Sequence, residues 1–100
     1  MRVTLQYFEG CPNWKYTEAH IEALEAEGFD LIFERQLIES LEKAEEVGFR
    51  GSPTVLIDGI DPFADPDAPV GLACRVYKTD GGYAGSPSLT QLRTALQKAS

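Results

Sequence analysis

The sequence has no long apolar run. Stretches such as Val55-Leu56-Ile57 are only a few residues long, far short of the roughly 20 needed to span a bilayer. Met1-Arg2-Val3-Thr4 leads straight into strand-like sequence rather than a basic and then apolar leader. The expectation is a cytoplasmic protein with no membrane partner. Basic residues are also scarce, with 9 Lys and Arg against 16 Asp and Glu and a formal charge of −7. Such a surface repels phosphate backbones and excludes nucleic acid as a partner class. Cysteine is rarer still: Cys11 and Cys74 are the two in the chain, too few for a disulfide scaffold or a four-thiolate zinc site. In a reducing compartment they rest as thiols, either buried and inert or reactive. The lone histidine, His20, has no second His or Cys near it and reads as a partly exposed surface residue.

What is present suits one soluble domain spanning residues 1–100. The composition is 43% hydrophobic and 25% charged, and the length leaves no room for a second core. Val3 to Phe8 alternates as a strand, although its Thr4 and Gln6 face is less apolar than a strand buried on both sides requires. Glu9-Gly10 breaks that pattern. Pro12 suits a first helical position, which makes Cys11 the expected N-cap. Trp14, Thr17, Ile21 and Leu24 then share one helical face up to the stop at Gly28.

Phe29 to Leu37 reads as a second strand, and Glu39 to Val47 as a short helix closed by Gly48. Val55-Leu56-Ile57 reads as a buried strand, followed by the hairpin signal Asp58-Gly59. Ile60 to Val70, rich in Pro and Asp, reads as an irregular loop. Leu72 to Lys78 reads as a strand ending at Asp80-Gly81-Gly82, and Ser88-Leu89-Thr90-Gln91 as a capping box opening the last helix. The expected class is α/β, in the order β-α-β-α-β-β-α, starting with a parallel pair and ending in an antiparallel hairpin.

A thiolate at a helix N-terminus faces unpaired N–H groups and the positive end of the helix dipole, which favour its charged, nucleophilic form. Cys11 is therefore the candidate nucleophile, the alternative being a buried thiol that merely caps the helix. Cys74 alternates with Leu72 and Val76 against Ala73, Arg75 and Tyr77. Sharing a face with two apolar residues favours a buried thiol. The alternative is a resolving cysteine, which requires Cα atoms within about 7 Å of Cys11. Asp58, Asp61, Asp65 and Asp67 do not have calcium-loop spacing and read as turn residues, so neither a metal nor a cofactor is expected.

The element order resembles the thioredoxin and glutaredoxin superfamily over nearly the whole chain. Gly10-Cys11-Pro12-Asn13-Trp14 is similar to its Cys-x-x-Cys segment, and Ser52-Pro53-Thr54 to its cis-Pro loop. The chain is also similar to small bacterial thioredoxin-family proteins that carry Gly-Cys-Pro-Asn-Trp and Gly-Leu-Ala-Cys-Arg segments, some of them labelled alkylmercury lyase. The resemblance implies a thioredoxin-like, mixed four-stranded sheet flanked by helices. It also implies a cis Pro53 whose loop leaves the Ser52 N–H and C=O free for an extended peptide or glutathione-like backbone.

Trp14 stands at the second-cysteine position, which excludes a dithiol cycle between positions 11 and 14. The expected site therefore has Cys11 and Cys74 as catalytic residues and Pro12, Trp14, Ser52, Pro53 and Thr54 as substrate-binding residues. The leading function is thiol-disulfide or peroxide chemistry on a small thiol or protein disulfide, making the protein a candidate thiol-disulfide oxidoreductase. The alternatives are a noncatalytic docking module, or a two-thiol clasp for a soft metal or organomercurial with Asp58 or Asp61 as proton source.

Overall fold

A computed structural model describes Met1 to Ala99. Its elements are β1 (Arg2–Tyr7), α1 (Trp14–Ala26), β2 (Ile32–Leu37), α2 (Leu41–Val47), β3 (Thr54–Ile57), β4 (Tyr77–Thr79), β5 (Gly82–Ala84) and α3 (Leu89–Ala99). The architecture is mixed α/β. β1 is the middle strand of a three-stranded sheet, parallel to β2 and antiparallel to β3, while β4 and β5 pair separately. No helix among the described residues is long and apolar enough to cross a membrane.

The inner face of the sheet supplies Val3, Leu5, Val55 and Ile57, which pack with Ile21 and Leu24 of α1 and Leu92 and Leu96 of α3. Fully burying side chains of this size contributes about 1.5–3 kcal/mol each relative to exposure. The polar face that argued against a central β1 is satisfied across the β1–β2 pair. Thr4 Oγ1 donates to Glu34 (3.1 Å) and Gln6 Nε2 to Gln36 Oε1 (2.9 Å), so these residues lie between two strands without leaving unmet hydrogen bonds.

The helix ends follow local chemistry. Ser40 Oγ accepts from the Lys43 N–H and Gly48 closes α2 in the left-handed conformation. Ser88 and Gln91 cap α3 reciprocally at 3.1 and 2.9 Å. At the C-terminal end of α1, Glu27 is bonded twice by Arg93 of α3, at 2.9 and 2.7 Å. That hydrogen bonding holds the Glu27 carboxyl below its ordinary range.

The sequence expectation departs from the structure at three places. The first is the start of α1: Asn13, not Cys11, is the N-cap. Lys15 N–H bonds Pro12 O (3.1 Å) and Tyr16 N–H bonds Asn13 O (3.2 Å), so a tight turn precedes the helix and Cys11 lies before that turn.

The second is the hairpin after β3. Asp58 and Gly59 adopt the positive φ values, 50° and 84°, of a two-residue turn. The ladder nonetheless ends at the single pair Ile57 and Ile60, because Pro62 has no N–H with which to extend it. The strand expected to complete a four-stranded sheet, within Leu72 to Lys78, pairs only with β5, so the described strands form no four-stranded sheet.

The third is the strand expected over Leu72 to Lys78. Regular pairing begins only at Tyr77, and β5 was not anticipated. The residues before Tyr77 are committed elsewhere, to the loop ahead of β3.

Candidate functional site

The site forms where β1 ends. Both backbone groups of Phe8 are used there: its N–H donates to Ser52 Oγ (3.4 Å) and its C=O accepts from the Cys11 N–H (3.3 Å). This brings the Cys11 turn and the loop ahead of β3 together at one sheet end. The Ser52–Pro53 peptide is cis. Cys11 is fully buried, with its sulfur 3.7 Å from Ser52 O. Asn13 Nδ2 lies 3.7 Å from the same sulfur, a placement for a sulfur-directed amide N–H that the sequence reading did not single out.

Cys74 joins this site. It is disulfide-bonded to Cys11, 63 residues away in sequence, with a Cα–Cα separation of 5.7 Å, inside the range a disulfide requires. The expectation of a buried Cys74 thiol is therefore overturned. Cys74 is exposed, as are Leu72 (40%) and Val76 (64%). The inward side chains of this extended segment are Arg75 and Tyr77. Leu72, Cys74 and Val76 do share a face, but that face points outward because Arg75 finds hydrogen-bond partners in Thr54, Asp61 and Phe63 and Tyr77 carries the larger apolar surface.

The segment lies along the loop ahead of β3 as one rung of a parallel ladder. Ser52 N–H donates to Ala73 O and Ser52 O accepts from Arg75 N–H, both at 2.8 Å. This corrects the expected open backbone at Ser52: both of its groups are already paired, and the occupant is the chain's own residues 73–75. Gly51 makes the approach feasible. Its φ is +123°, and a Cβ there would lie 3.0 Å from Arg75 Cβ and 3.3 Å from Ala73 O.

Arg75 and Tyr77 fasten the segment down. The Arg75 guanidinium binds Asp61 Oδ2 at 2.7 Å, Thr54 Oγ1 at 3.3 Å and the Phe63 carbonyl, and lies 4.6 Å from the Tyr77 ring centroid. The Tyr77 hydroxyl donates to Pro53 O. Burial pushes the Tyr77 phenol well above its ordinary value of 10; the Arg75 charge opposes the shift and the Asp61 charge adds to it. Further back, Gly71 N–H bonds Phe49 O (3.1 Å), and Arg50 Nη1 binds the Pro66 (3.2 Å) and Ala68 carbonyls.

Of the expected site residues, Cys11, Cys74, Ser52 and Pro53 meet. Thr54 is buried and donates to Gly51 O (2.6 Å), so it shapes the loop from inside. Pro12 is exposed at the head of the turn. Trp14 packs on Tyr7 with ring centroids 4.5 Å apart, with Arg35 and Lys15 over its ring at 5.5 and 5.8 Å, at the margin of the core.

Asp61 and Asp65 act in turns, while Asp58 reaches across to β1. Asp58 accepts from the Arg2 N–H (2.9 Å), Asp61 from the Phe63 N–H (2.8 Å) and Asp65 from the Asp67 N–H (3.1 Å). Among the described residues, no group of three or more His, Cys, Asp or Glu side chains is arranged to hold a metal ion.

Asn13, Gly51, Arg75 and Tyr77 were not expected as site residues, and Asp61, expected as a proton source, is instead the partner of Arg75. A usable signal lay in the alternation of Arg75 and Tyr77 against Cys74, which allows a paired charge on the face opposite the sulfur. No family model, curated protein or solved structure matches this chain.

Proposed function

We propose that the protein is a thiol-disulfide redox protein of thioredoxin-like type, with Cys11 and Cys74 as its working couple and the cytoplasm as its setting. The observation that carries this reading is the joining of two cysteines 63 residues apart, beside the cis Ser52–Pro53 bond. Reduction by two thiols converts the disulfide to two cysteine thiols and the donors to one disulfide; the reverse oxidises a partner dithiol. The partner class is a small thiol or a protein disulfide.

The thioredoxin-like assignment is supported by the parallel β1–β2 pair, the antiparallel β3 on the other side of β1, and a cysteine immediately after β1. It departs from the resemblance in the separate β4–β5 pair. The test compares wild type with Cys11→Ser for thiol-driven reduction of a protein disulfide and for peroxide consumption. Wild type is expected to accelerate at least one and the variant neither. Equal behaviour of the two proteins in both assays overturns the proposal and favours a docking module.

The same adjacency favours a second reading in which the reduced pair clasps a soft metal ion. Asp61 is held by Arg75 and the Phe63 N–H, and Asp58 by the Arg2 N–H, so the clasp rests on the two sulfurs rather than on a carboxylate. Its test is the binding of one mercuric ion per reduced wild-type chain, with loss of that stoichiometry in Cys11→Ser.

A further inference from the structure

The two sulfurs of the couple are not equivalent. Cys11 is 0% exposed, so nothing can reach its sulfur along the S–S axis without displacing the protein around it. Cys74 is exposed and sits on extended backbone between the exposed side chains of Leu72 and Val76. Thiol-disulfide exchange requires the attacking thiolate to reach one particular sulfur, and access selects which.

Resting on the proposed redox function, we infer that the oxidised protein is opened at Cys74, with Cys11 as the leaving group. This reverses the roles expected from the sequence, in which Cys11 attacks and Cys74 resolves.

The step balances. An incoming thiolate attacks the Cys74 sulfur, a bond forms between them, the Cys11–Cys74 bond breaks, and its electron pair leaves on the Cys11 sulfur. The surroundings of Cys11 suit both forms it then takes. Asn13 Nδ2, at 3.7 Å, points an amide N–H at the thiolate, and Ser52 O, at 3.7 Å, accepts from the thiol once it is protonated. A second thiolate then attacks the donor sulfur of the mixed disulfide. The donors are released as a disulfide, and Cys74 leaves as a thiolate and takes up a proton. The two donors are oxidised and the cysteine pair is reduced.

The approach is across Leu72 and Val76, not along Ser52, whose N–H and C=O stay paired to Ala73 and Arg75. The Arg75 and Tyr77 anchors hold that pairing when the disulfide opens, so Cys74 is retained near Cys11 for re-closure.

The experiment treats oxidised wild-type protein briefly with glutathione, quenches in acid, alkylates free thiols and maps the tryptic peptides by mass. Cleavage after Arg2, Lys15, Arg50 and Arg75 puts Cys11 and Cys74 on separate peptides. At the earliest times glutathione is expected on residues 51–75 and the alkyl group on residues 3–15, by about tenfold or more over the reverse pattern. Glutathione mainly or equally on the Cys11 peptide overturns the assignment and leaves the redox function standing. A disulfide that exchanges with no thiol overturns both.

If re-closure outruns the quench, the single-cysteine variants decide. Cys74 in Cys11→Ser is expected to react with an aromatic disulfide reagent about tenfold or more faster than Cys11 in Cys74→Ser, since thiol reactivity tracks access. Equal or inverted rates overturn the assignment.

Discussion

Reducing the Cys11–Cys74 disulfide should cost stability in an amount set by the loop it closes. The bonded residues are 63 apart. Loop-closure entropy then removes roughly 14 cal/mol/K from the unfolded ensemble, or about 4 kcal/mol at 25 °C. The folded state loses little beyond the bond itself, because Ser52 still pairs with Ala73 and Arg75, Arg75 still binds Asp61, and the Tyr77 hydroxyl still reaches Pro53. The penalty therefore arises in the unfolded chain, and reduced protein remains folded at a lower denaturant midpoint. Urea titrations of oxidised protein, and of protein held reduced by a phosphine, give both free energies by linear extrapolation. A difference below about 1 kcal/mol would mean that the bond does not constrain the unfolded chain as loop-closure entropy requires.

Three further outcomes follow from the way the Cys74 segment is fastened. Arg75→Met removes the donors that Asp61, Thr54 and Phe63 share, and is expected to cost about 2–3 kcal/mol in urea unfolding. It is also expected to move the glutathione equilibrium of the cysteine pair toward the dithiol, with Arg75→Lys in between; unchanged values for both variants would count against the latch. Gly51→Ala puts a Cβ at φ +123° against Arg75 and the Ala73 carbonyl; a loss of about 2 kcal/mol or more is expected by chemical denaturation, whereas a neutral result would mean that the two segments do not approach this closely. Because the Tyr77 pKa is raised in the folded state, stability is fully present below pH 10, the ordinary tyrosine value, and falls above it as the unfolded tyrosine loses its proton first. The expected slope is about 1.4 kcal/mol per pH unit, and it should be absent in Tyr77→Phe at matched pH.

The features legible in the sequence were those specified by neighbours along the chain. The Ser88 and Gln91 capping box, the Gly48 stop and the Thr17, Ile21 and Leu24 stripe of α1 follow from local hydrogen bonding and helical periodicity. The position of Cys11 beyond β1 was equally readable. The face of Cys74 was not, because Leu72 and Val76 look like core residues until Arg75 is seen to have Asp61, Thr54 and Phe63 as partners 12 to 21 residues away. An arginine side chain as largely covered as that of Arg75 is rare without such pairing, and sequence alone does not reveal the pairing. The pairing of Ser52 was hidden for the same reason, since one parallel rung to residues 73–75 leaves no periodic signature. The N-cap shifted from Cys11 to Asn13 because the carbonyls of Pro12 and Asn13 both accept in a tight turn, which spacing does not distinguish from the first turn of a helix.

The proposed chemistry requires Cys11 and Cys74 to form one reversible couple. The most direct test is intact-mass measurement of reduced protein exposed to mild oxidant, then to excess thiol, with alkylation of free cysteines at each stage. Both alkylation sites are expected to be lost, in monomer, on oxidation and both to be recovered on reduction. Two cysteines that stay alkylatable, or that oxidise only between chains, would contradict a reversible couple.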